Sequence, residues 1–343
     1  MVMAMDEWLD LLNGLPPAKP NNEPGTGVDE TALAWAPLSQ HALIRVSGVD
    51  AEKFLQGQCT CDVLELKTHN TFLSGAHCNH KGRMLSSFDM ALVDENTYLL
   101  RVHKSVAELA YQDLKKYIIF SKADISLEKN YLSLGLFGQN LASLVNDIPN
   151  LNTVEDTSEE NKTYAVENDK ITLRHSPNQW EIWLKIDTAK TLINRLKEYT
   201  QYTPQYWDYL NIKRGIGEVR SHTREELLPQ EINLQLVGGV SFNKGCYTGQ
   251  EVVARMHYKA TLKKHMYRAR LQTEEVPLPG TRLIENGSEK VLGSVILAAQ
   301  SDSGQIELLA LCTDSAIGQK KVSLSTDSSV NLQWLALPYA IPK

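Results

Sequence analysis

One cysteine of this chain stands in a segment whose spacing could make its thiol reactive. The segment KGCYTGQEVVAR runs from Lys244 to Arg255, and Thr248 followed three residues later by Glu251 is typical of a capping box. Cys246 would then lie two residues before the cap of a helix. The unpaired N–H groups at that helix start, together with Lys244 and Arg255, favour a thiolate at Cys246. The pattern predicts a reactive or anion-contacting thiol; the alternative is a loop cysteine beside an ordinary helix start.

The cysteines and histidines upstream do not have the spacing of a zinc site. They are Cys59, Cys61, His77, Cys78 and His80. Structural zinc usually takes two pairs of ligands, each pair two to four residues apart, whereas this stretch offers a single Cys-X-Cys with scattered histidines. We therefore predict a core role for these cysteines and no metal. The chain also has neither a GxxxxGK[ST] loop nor a GxGxxG loop after a strand, although RGIGE at 214–218 is partly similar to one.

A second candidate is the basic segment from Arg255 to Arg270, RMHYKATLKKHMYRAR. It carries six Lys and Arg residues and no acidic residue, with Tyr258 and Tyr267 between them. This composition fits a contact surface for an anionic partner, either a polyanionic cofactor tail or an RNA backbone. The alternative, which the pattern favours, is the solvated face of a strand and a linker.

Composition places these candidates in a soluble globular protein. The chain has 343 residues, 42% of them hydrophobic and 22% charged, which is enough for two or three domains. Its five cysteines are odd in number and sparse, which favours a reducing compartment over a disulfide framework. The acidic N-terminus MVMAMDEWLDLLNG is unlike a secretory signal, and no apolar run approaches membrane-spanning length. We predict a cytoplasmic protein without a membrane segment. The net charge of -6 disfavours broad, stable binding to nucleic acid.

The apolar patterns that would position these residues predict an α+β fold. Predicted strands lie at 43–46, 71–92 (a pair joined through 79–82), 132–137, 181–186, 294–299, 306–312, 321–325 and 332–337. Predicted helices begin at Asp50, which caps 50–58, and at a capping box of Ser105 and Glu108, followed by apolar Val106, Leu109, Ala110 and Leu114; a third contains Leu192, Ile193 and Leu196. Residues 13–28 and 150–162 are predicted loops, and the region past 260 a small β-barrel or sandwich.

Three stretches together resemble a known family. The run LPQEINLQLVGGVSFNKGCYTGQEVVAR, from Leu228 to Arg255, resembles the signature of the YgfZ family of folate-binding proteins. These are relatives of the T-protein, the aminomethyltransferase of the glycine cleavage system. Residues 44–63, which contain GVDAEKFLQGQCTCDV, and residues 79–83, NHKGR, are similar to the family in the expected order. The octapeptide that begins at Lys244 is the most specific of these features.

The resemblance implies a three-domain, cloverleaf-like, T-protein-like folate-binding fold of the α+β class. It would hold tetrahydrofolate, or a one-carbon-substituted folate, in a central opening, and end in a small C-terminal β-barrel. The implied divisions are a loose lead-in at 1–28, a discontinuous folate-binding core at 29–130 and 205–258, a second α+β domain at 131–204 and the barrel at 259–343. Family members support assembly or repair of iron–sulfur clusters and, in bacteria, an iron–sulfur-dependent tRNA modification. The implied partners are folate and, transiently, iron–sulfur enzymes or assembly proteins.

The resemblance also implies site residues. Cys246 stands at the position of the family's functional cysteine. The residues it assigns to folate binding are Trp207, Glu231, Lys244, Gly245, Tyr247, Gln250 and Arg255. An indole at Trp207 could stack on a pterin ring, and the carboxylate of Glu231 could accept hydrogen bonds from a pterin's amino and ring N–H groups. At the position of a second, N-terminal family tryptophan this chain has His41, with Trp35 nearby.

Two departures separate the chain from T-proteins. Where those enzymes carry an acidic pair after the hairpin glycine, this chain has Ser86 and Ser87, with Asp89 out of register. Lys213 occupies the position of a pterin-facing glutamate. A hydroxyl has a far higher pKa than a carboxyl group and cannot replace it in proton handling, so aminomethyl transfer is disfavoured while a folate pocket is not.

Three hypotheses remain open from the sequence. The first, which we prefer, is a folate-dependent accessory factor for iron–sulfur proteins in which Cys246 is the functional thiol. The second is an aminomethyltransferase-like enzyme. The third is a folate sensor or scaffold in which Cys246 is only structural.

Overall fold

Three β-sheets with helices packed against them form the part of the chain that the structure describes. The structure is a computed structural model that describes residues 18, 32–69, 71–139, 141–146, 163–167, 170–301, 304–318 and 321–342. Apart from Ala18, the predicted loops at 13–28 and 150–162 lie outside these residues. Within them, no helix is long and apolar enough to cross a membrane.

The elements follow one another along the chain as strands with a few interposed helices. The strands are β1 Ala34–Pro37, β2 His41–Ser47, β3 Leu73–Cys78, β4 Met84–Asp94, β5 Thr97–His103, β6 Asp124–Glu128, β7 Tyr131–Phe137, β8 Thr163–Glu167, β9 Lys170–Ser176, β10 Gln179–Lys185, β11 Thr200–Gln201, β12 Lys264–Leu271, β13 Arg282–Glu285, β14 Val291–Gln300, β15 Ile306–Thr313, β16 Val322–Leu324 and β17 Gln333–Leu335. The helices are α1 Ala51–Gln56, α2 Glu65–Thr68, α3 Lys104–Ile118, α4 Leu141–Asn146, α5 Ile186–Leu196, α6 Pro204–Lys213 and α7 Gln250–Tyr258. Short 3₁₀ helices lie at Ser221–Thr223, Pro229–Ile232, Leu234–Val237 and Asp314–Ala316.

The first sheet has the order β3-β4-β5-β2-β6 and is antiparallel throughout. It confirms the predicted strand at 43–46 and the predicted strand pair at 71–92. Helix α3 packs on it through buried residues that include Val106 and Leu114, but Leu109 is 45% exposed, so that predicted core position is wrong. The predicted capping box is also wrong, because the helix is capped by the His103 ring, which accepts a hydrogen bond from the backbone N–H of Ser105.

The second sheet has the order β11-β1-β7-β10-β9-β8. Strands β1 and β11 pair in parallel, and the other neighbours are antiparallel. Strands β7 and β10 confirm the predicted strands at 132–137 and 181–186, apart from Ile186, which opens α5. The predicted apolar residues of α5 are buried. Strand β1 pairs here although it falls within the core predicted at 29–130.

The third sheet has the order β16-β13-β14-β15-β12-β17 and is antiparallel. It contains all four strands predicted past residue 260. The small β-barrel or sandwich predicted for this region is confirmed in part, because the sheet is a curled half-barrel. Its edge strands β16 and β17 are each only three residues long. In the part of the chain that the structure describes, an isolated bridge between Ser323 and Asn331 joins the two edges.

One hydrophobic cluster joins all three sheets. It includes Met84 from the first sheet, Ala36 from the second and Ile296 from the third, together with Trp207 of α6 and Val253 of α7. Burying these side chains together fixes the sheets around α6 and α7, because apolar surface removed from water stabilises the packed arrangement. The two helices that carry candidate site residues are therefore rigidly positioned.

Candidate functional site

Lys244 anchors the loop that carries Cys246. Its side chain is buried, and Nζ donates hydrogen bonds to the backbone oxygens of Cys59 at 2.8 Å and Cys61 at 2.6 Å. The ammonium also lies 5.2 Å from the centre of the Tyr247 ring. Burial lowers the pKa of Lys244, whereas the neighbouring thiols of Cys59 and Cys61 act in the opposite direction. Two carbonyl dipoles and an aromatic face compensate the buried charge, so this lysine holds the loop to the segment after α1.

The other flank of the loop is held by Thr248 and Gly249. The Thr248 hydroxyl donates to Oε1 of Gln58 at 3.2 Å. Helix α7 begins at Gln250, and its N-cap is Gly249, which has a φ of 84° and makes no side-chain cap hydrogen bond. The predicted capping box of Thr248 and Glu251 is therefore wrong. A left-handed glycine turns the chain into the helix, and the threonine hydroxyl is used in the contact between loops.

Gly249 also brings the start of α7 against the turn between β3 and β4. A Cβ at Gly249 would lie 2.5 Å from the backbone oxygen of Asn79 and 3.1 Å from Cα of Gly82. Gly82 has a φ of 71°, and a Cβ there would lie 3.0 Å from Cβ of Val252. Two glycines thus let the NHKGR turn and the octapeptide touch. The three segments that carry the family resemblance meet at this point of the fold.

Glu231 strengthens the same junction from the segment before the octapeptide. Its Oε2 accepts hydrogen bonds from the backbone N–H of Leu228 at 2.8 Å and from Nη1 of Arg83 at 3.1 Å. These contacts occupy the carboxylate oxygen that the sequence assigned to a pterin. Within this structure Glu231 fixes the 3₁₀ helix Pro229–Ile232 to the β3–β4 turn.

Cys246 is the exposed cysteine between these anchors. All five cysteines lie in described residues, and the other four are buried. Burial raises the pKa of Cys61 and of Cys78 to about 12, and that of Cys312 to about 11, so these thiols are neutral near pH 7. Cys246 itself lies three positions before the N-cap Gly249. It is therefore outside the first turn of α7, which is the region in which the helix dipole acts. Reagents can reach the Cys246 thiol because it is exposed on a loop that is held in place on both sides.

The other predicted site residues near Cys246 in sequence differ in their exposure. Gly245 is exposed, and a Cβ there would meet no atom within 4 Å, so the space next to Cys246 is open. Tyr247 is buried beneath the loop, and burial raises its pKa. Gln250 is half-buried and Arg255 is exposed on α7.

The basic segment that follows divides into two parts. Arg268 forms an ion pair with Glu307, with Nη2 and Oε2 2.6 Å apart, and the Tyr267 hydroxyl donates to Asp314. These side chains are committed to the third sheet. Lys259 and Lys263 are exposed, as is Arg255, so the part of the segment nearest the octapeptide fits the predicted anion-contacting surface better than the strand does.

Trp207 lies inside the protein, away from solvent. Its exposed fraction is 0%, and a Cβ at Gly135 would lie 2.5 Å from its ring. The His175 ring packs edge-on with its centre 5.7 Å from that of the indole. The indole Nε1 has no hydrogen-bond partner in the described part of the chain. Stacking of a pterin on this ring stays a prediction, and it requires the interior beside Trp207 to open.

A group of buried charges next to Trp207 was missed by sequence reasoning. We call it the interior charged cluster; it consists of His41, Asp89, Arg101, His175, Glu181 and Glu218. Glu181 is fully buried, with its carboxylate 3.2 Å from Nε2 of His175 and 3.4 Å from Nε of Arg101. Arg101 also pairs with Asp89, and with Glu218 at 3.0 Å. The available signal was a lone charge inside apolar strands, as in TYLLRVH and QWEIWLK.

Within the cluster, Asp89, His175 and Glu181 bring three potential metal-ligand atoms within 4.8 Å of one another. Arg101 already contacts both carboxylates, so their charge is compensated by a guanidinium. His41 is different. Its side chain is 1% exposed, and its ring nitrogens lie 3.8 Å and 3.7 Å from Glu181 and Glu218, with no hydrogen bond to either. Burial and the nearby Arg101 lower the pKa of His41, which keeps the ring neutral.

Comparison with known proteins identifies the family. No protein-family model matches the chain. Over 311 residues it is 30% identical to the tRNA-modifying protein YgfZ of Aliivibrio fischeri, and the match covers 89% of this chain and 92% of that protein. The chain belongs to the YgfZ family. The family predicted from the octapeptide and its two companion segments is confirmed.

Solved structures establish the fold of this YgfZ-family chain. The glycine cleavage system aminomethyltransferase T from Bartonella henselae has a TM-score of 0.74 and 15% identity, over 98% of this chain and 97% of that one. This confirms the predicted T-protein-like fold, and at such low identity it shows the fold alone. A heterotetrameric sarcosine oxidase from Corynebacterium sp. U-96 reaches a TM-score of only 0.35, over 49% of this chain, and supports no argument.

The serines at the T-protein acidic positions have structural partners in this YgfZ-family chain. The Ser87 hydroxyl accepts a hydrogen bond from the backbone N–H of Val219 at 2.8 Å, and Ser86 pairs with His77 across the β3–β4 hairpin. Asp89 is buried and bound to Ser74 and Arg101. The disfavoured aminomethyl transfer stays a prediction.

Proposed function

We propose that this chain is a tetrahydrofolate-binding accessory protein that supports assembly or repair of iron–sulfur clusters in enzymes, including one that modifies tRNA. We further propose that Cys246 is its functional thiol. The observation that carries the proposal is the junction of the three family segments, which are braced against each other and leave Cys246 exposed beside open space. The name of the A. fischeri relative supports the link to tRNA modification.

The residues present fit a reduced folate by their chemistry. A pterin offers amino and ring N–H groups that suit carboxylates, and a carbonyl oxygen that suits an N–H donor. Beside Trp207, the interior charged cluster supplies the carboxylate of Glu218, and the indole Nε1 and the His41 ring lack partners among the described residues. We propose that these groups hold the pterin of tetrahydrofolate or of a one-carbon-substituted folate, and that folate serves as the carrier of a one-carbon unit.

The octapeptide and helix α7 would contribute the outer part of the same site. The exposed guanidinium of Arg255 suits the carboxylates of the folate's glutamate tail, with Gln250 beside it at the start of α7. Lys244, Tyr247 and Glu231 support these groups by holding the loop in place. Iron–sulfur enzymes or assembly proteins would contact the exposed loop around Cys246 transiently.

Complementation tests the role of the thiol. In a strain that lacks this protein, the activity of an iron–sulfur-dependent tRNA-modifying enzyme is measured after expression of wild type, Cys246→Ala or Cys312→Ala. Cys312 is buried in the third sheet, so its substitution controls for general effects of losing a cysteine. We expect Cys246→Ala to fail and Cys312→Ala to restore activity. Full activity with Cys246→Ala would instead support a sensor or scaffold.

Titration tests folate binding separately. Tetrahydrofolate is added to wild type and to Trp207→Phe while intrinsic fluorescence and heat are recorded. We expect saturable binding by wild type, quenched fluorescence, and weaker binding by Trp207→Phe because an indole donor and contact area are lost. Absence of saturable binding to the full-length protein would refute the folate assignment, whatever the outcome for Cys246.

A further inference from the structure

A cavity of about 420 Å³ lies outside the site described above. It is formed between the β3–β4 hairpin and helix α3, and its wall includes His77, Leu109, Asp113, Tyr117 and Arg224. None of the residues proposed to bind folate lines it. Any ligand of this cavity would therefore bind separately from the pterin.

His77 provides the strongest sign that the cavity is built for a ligand. Its side chain is 1% exposed, and neither ring nitrogen has a hydrogen-bond partner in the residues that the structure describes. Burial lowers the pKa of His77 to about 4, so the ring is neutral near pH 7 and offers one donor and one acceptor. Leaving such a group buried and unsatisfied is costly, and a leucine would be cheaper at a purely structural position.

The charged groups of the cavity already neutralise one another. Asp113 accepts a hydrogen bond from Lys116 at 2.7 Å and pairs with Arg224, which also pairs with Glu225. Those hydrogen bonds lower the pKa of Asp113 despite its burial, so the carboxylate is ionised and satisfied. Because no net charge is left to balance, the cavity favours a neutral ligand over an anion or a metal ion.

Arg224 supplies a second unsatisfied donor. Its Nη atoms are used in ion pairs, but its buried Nε–H has no partner among the described residues. His77 and Arg224 both line the cavity, and each carries a buried N–H that lacks a partner among the described residues. Two such donors match a ligand edge that carries two neighbouring acceptors.

The rim of the cavity is apolar and partly aromatic. Leu109 and Tyr117 both line it and are about half exposed on α3. The exposure of Leu109 was unexpected from the helix pattern, and the two side chains provide apolar contact for a ring that enters the cavity.

We propose that this cavity binds a neutral purine whose ring nitrogen acceptor adjoins a carbonyl oxygen, as in guanine or hypoxanthine. His77 and Arg224 donate to that edge, and Tyr117 packs against the ring. The purine can come from a free nucleoside or from a base of single-stranded RNA, since both present the same edge. This site is independent of the proposed folate function.

The test uses the full-length protein with inosine and adenosine, which differ at position 6, where inosine has a carbonyl and adenosine an amino group. Binding is measured by calorimetry and by the NMR signals of the histidine rings. We expect inosine to bind saturably and at least about tenfold more tightly than adenosine, because an amino group faces donors there. Equal affinities, or no binding of inosine, would overturn the proposal.

Three variants locate the site. His77→Leu should lose inosine binding without losing stability, and Tyr117→Ala should weaken it about fivefold or more. Phe120→Ala is the matched control, because Phe120 is 90% exposed just beyond α3 and does not line the cavity. Unchanged affinity in both His77→Leu and Tyr117→Ala, or displacement of inosine by tetrahydrofolate, would refute a separate purine site.

A further arm identifies the source of the purine. A short single-stranded RNA that contains guanosine is titrated into wild type and His77→Leu. Tighter binding than inosine, lost in His77→Leu, assigns the cavity to an RNA base. Weaker binding than inosine assigns it to a free nucleoside. Tight RNA binding that survives in His77→Leu would overturn the proposal for RNA.

Discussion

Replacing each glycine of the octapeptide by alanine, one at a time, should distinguish the tightly packed part of the loop from its exposed part. Gly249 and Gly245 lie four positions apart, on either side of Tyr247. A Cβ at Gly249 would lie 2.5 Å from the backbone oxygen of Asn79, whereas one at Gly245 would meet nothing within 4 Å. Gly249 has a φ of 84°, and Gly245 is not among the glycines with positive φ. The same chemical change therefore meets opposite constraints at the two sites.

The cost of Gly249→Ala has two parts. Alanine in the left-handed region costs about 1–2 kcal/mol. The contact with Asn79 can be relieved only by moving backbone of the β3–β4 turn, and such overpacking costs about 1–3 kcal/mol. We expect Gly249→Ala to lower the free energy of unfolding by about 2–5 kcal/mol. Gly245→Ala should change it by less than about 1 kcal/mol, because a compatible Gly→Ala exchange acts mainly on the unfolded chain.

Urea unfolding followed by circular dichroism measures both effects, and alkylation followed by mass spectrometry adds a local readout. If the turn and α7 separate in Gly249→Ala, the buried thiol of Cys78, next to Gly249, should begin to react. A Gly249→Ala protein that unfolds at the same urea concentration as wild type and Gly245→Ala would refute this reasoning.

Three further outcomes follow from the same structure. Lys244→Met should destabilise the protein by about 2–5 kcal/mol in urea unfolding, because two buried carbonyls, those of Cys59 and Cys61, lose a charged donor. A thiol reagent should modify one cysteine, Cys246, in the native protein and all five after denaturation; rapid labelling of a second native thiol would contradict the burial. Stability should fall as pH drops from 6.5 towards about 4, because burial lowers the pKa of His77 from 6.5 to about 4 and the folded state disfavours its protonation. In urea unfolding curves measured at both pH values, the loss of unfolding free energy on acidification should be roughly 3 kcal/mol smaller in His77→Leu than in wild type.

Local patterns in the sequence predicted the parts of the fold that depend on near neighbours. The strands at 43–46 and 71–92 and the apolar face of α5 follow from residue alternation and spacing, which act over a few positions. The octapeptide and its companion segments predicted the family. Sequence reasoning failed where a remote contact decided the outcome. Helix α7 starts at Gln250 because Gly249 must pack on a turn some 170 residues upstream.

The interior charged cluster shows the same limit. Its members come from β2, β4, β5, β9, β10 and the segment after α6, and each looks like an isolated charge in its own strand or loop. Only the tertiary arrangement shows that Glu181 faces Arg101 and His175. The half-barrel shape of the third sheet has a related origin, since strand patterns predict that strands exist but not how far the sheet they form closes on itself.

The ammonium of Lys244 closes a loop of 185 residues when it reaches the carbonyl oxygen of Cys59. During synthesis on the ribosome, that carbonyl emerges long before Lys244 and lacks this hydrogen-bond donor until Lys244 follows. The thiol loop can therefore acquire its final shape only after Lys244 has emerged, well after the segment that it contacts. A chain that ends before Lys244 lacks this brace, so a correctly held Cys246 marks a polypeptide in which two segments 185 residues apart have come together.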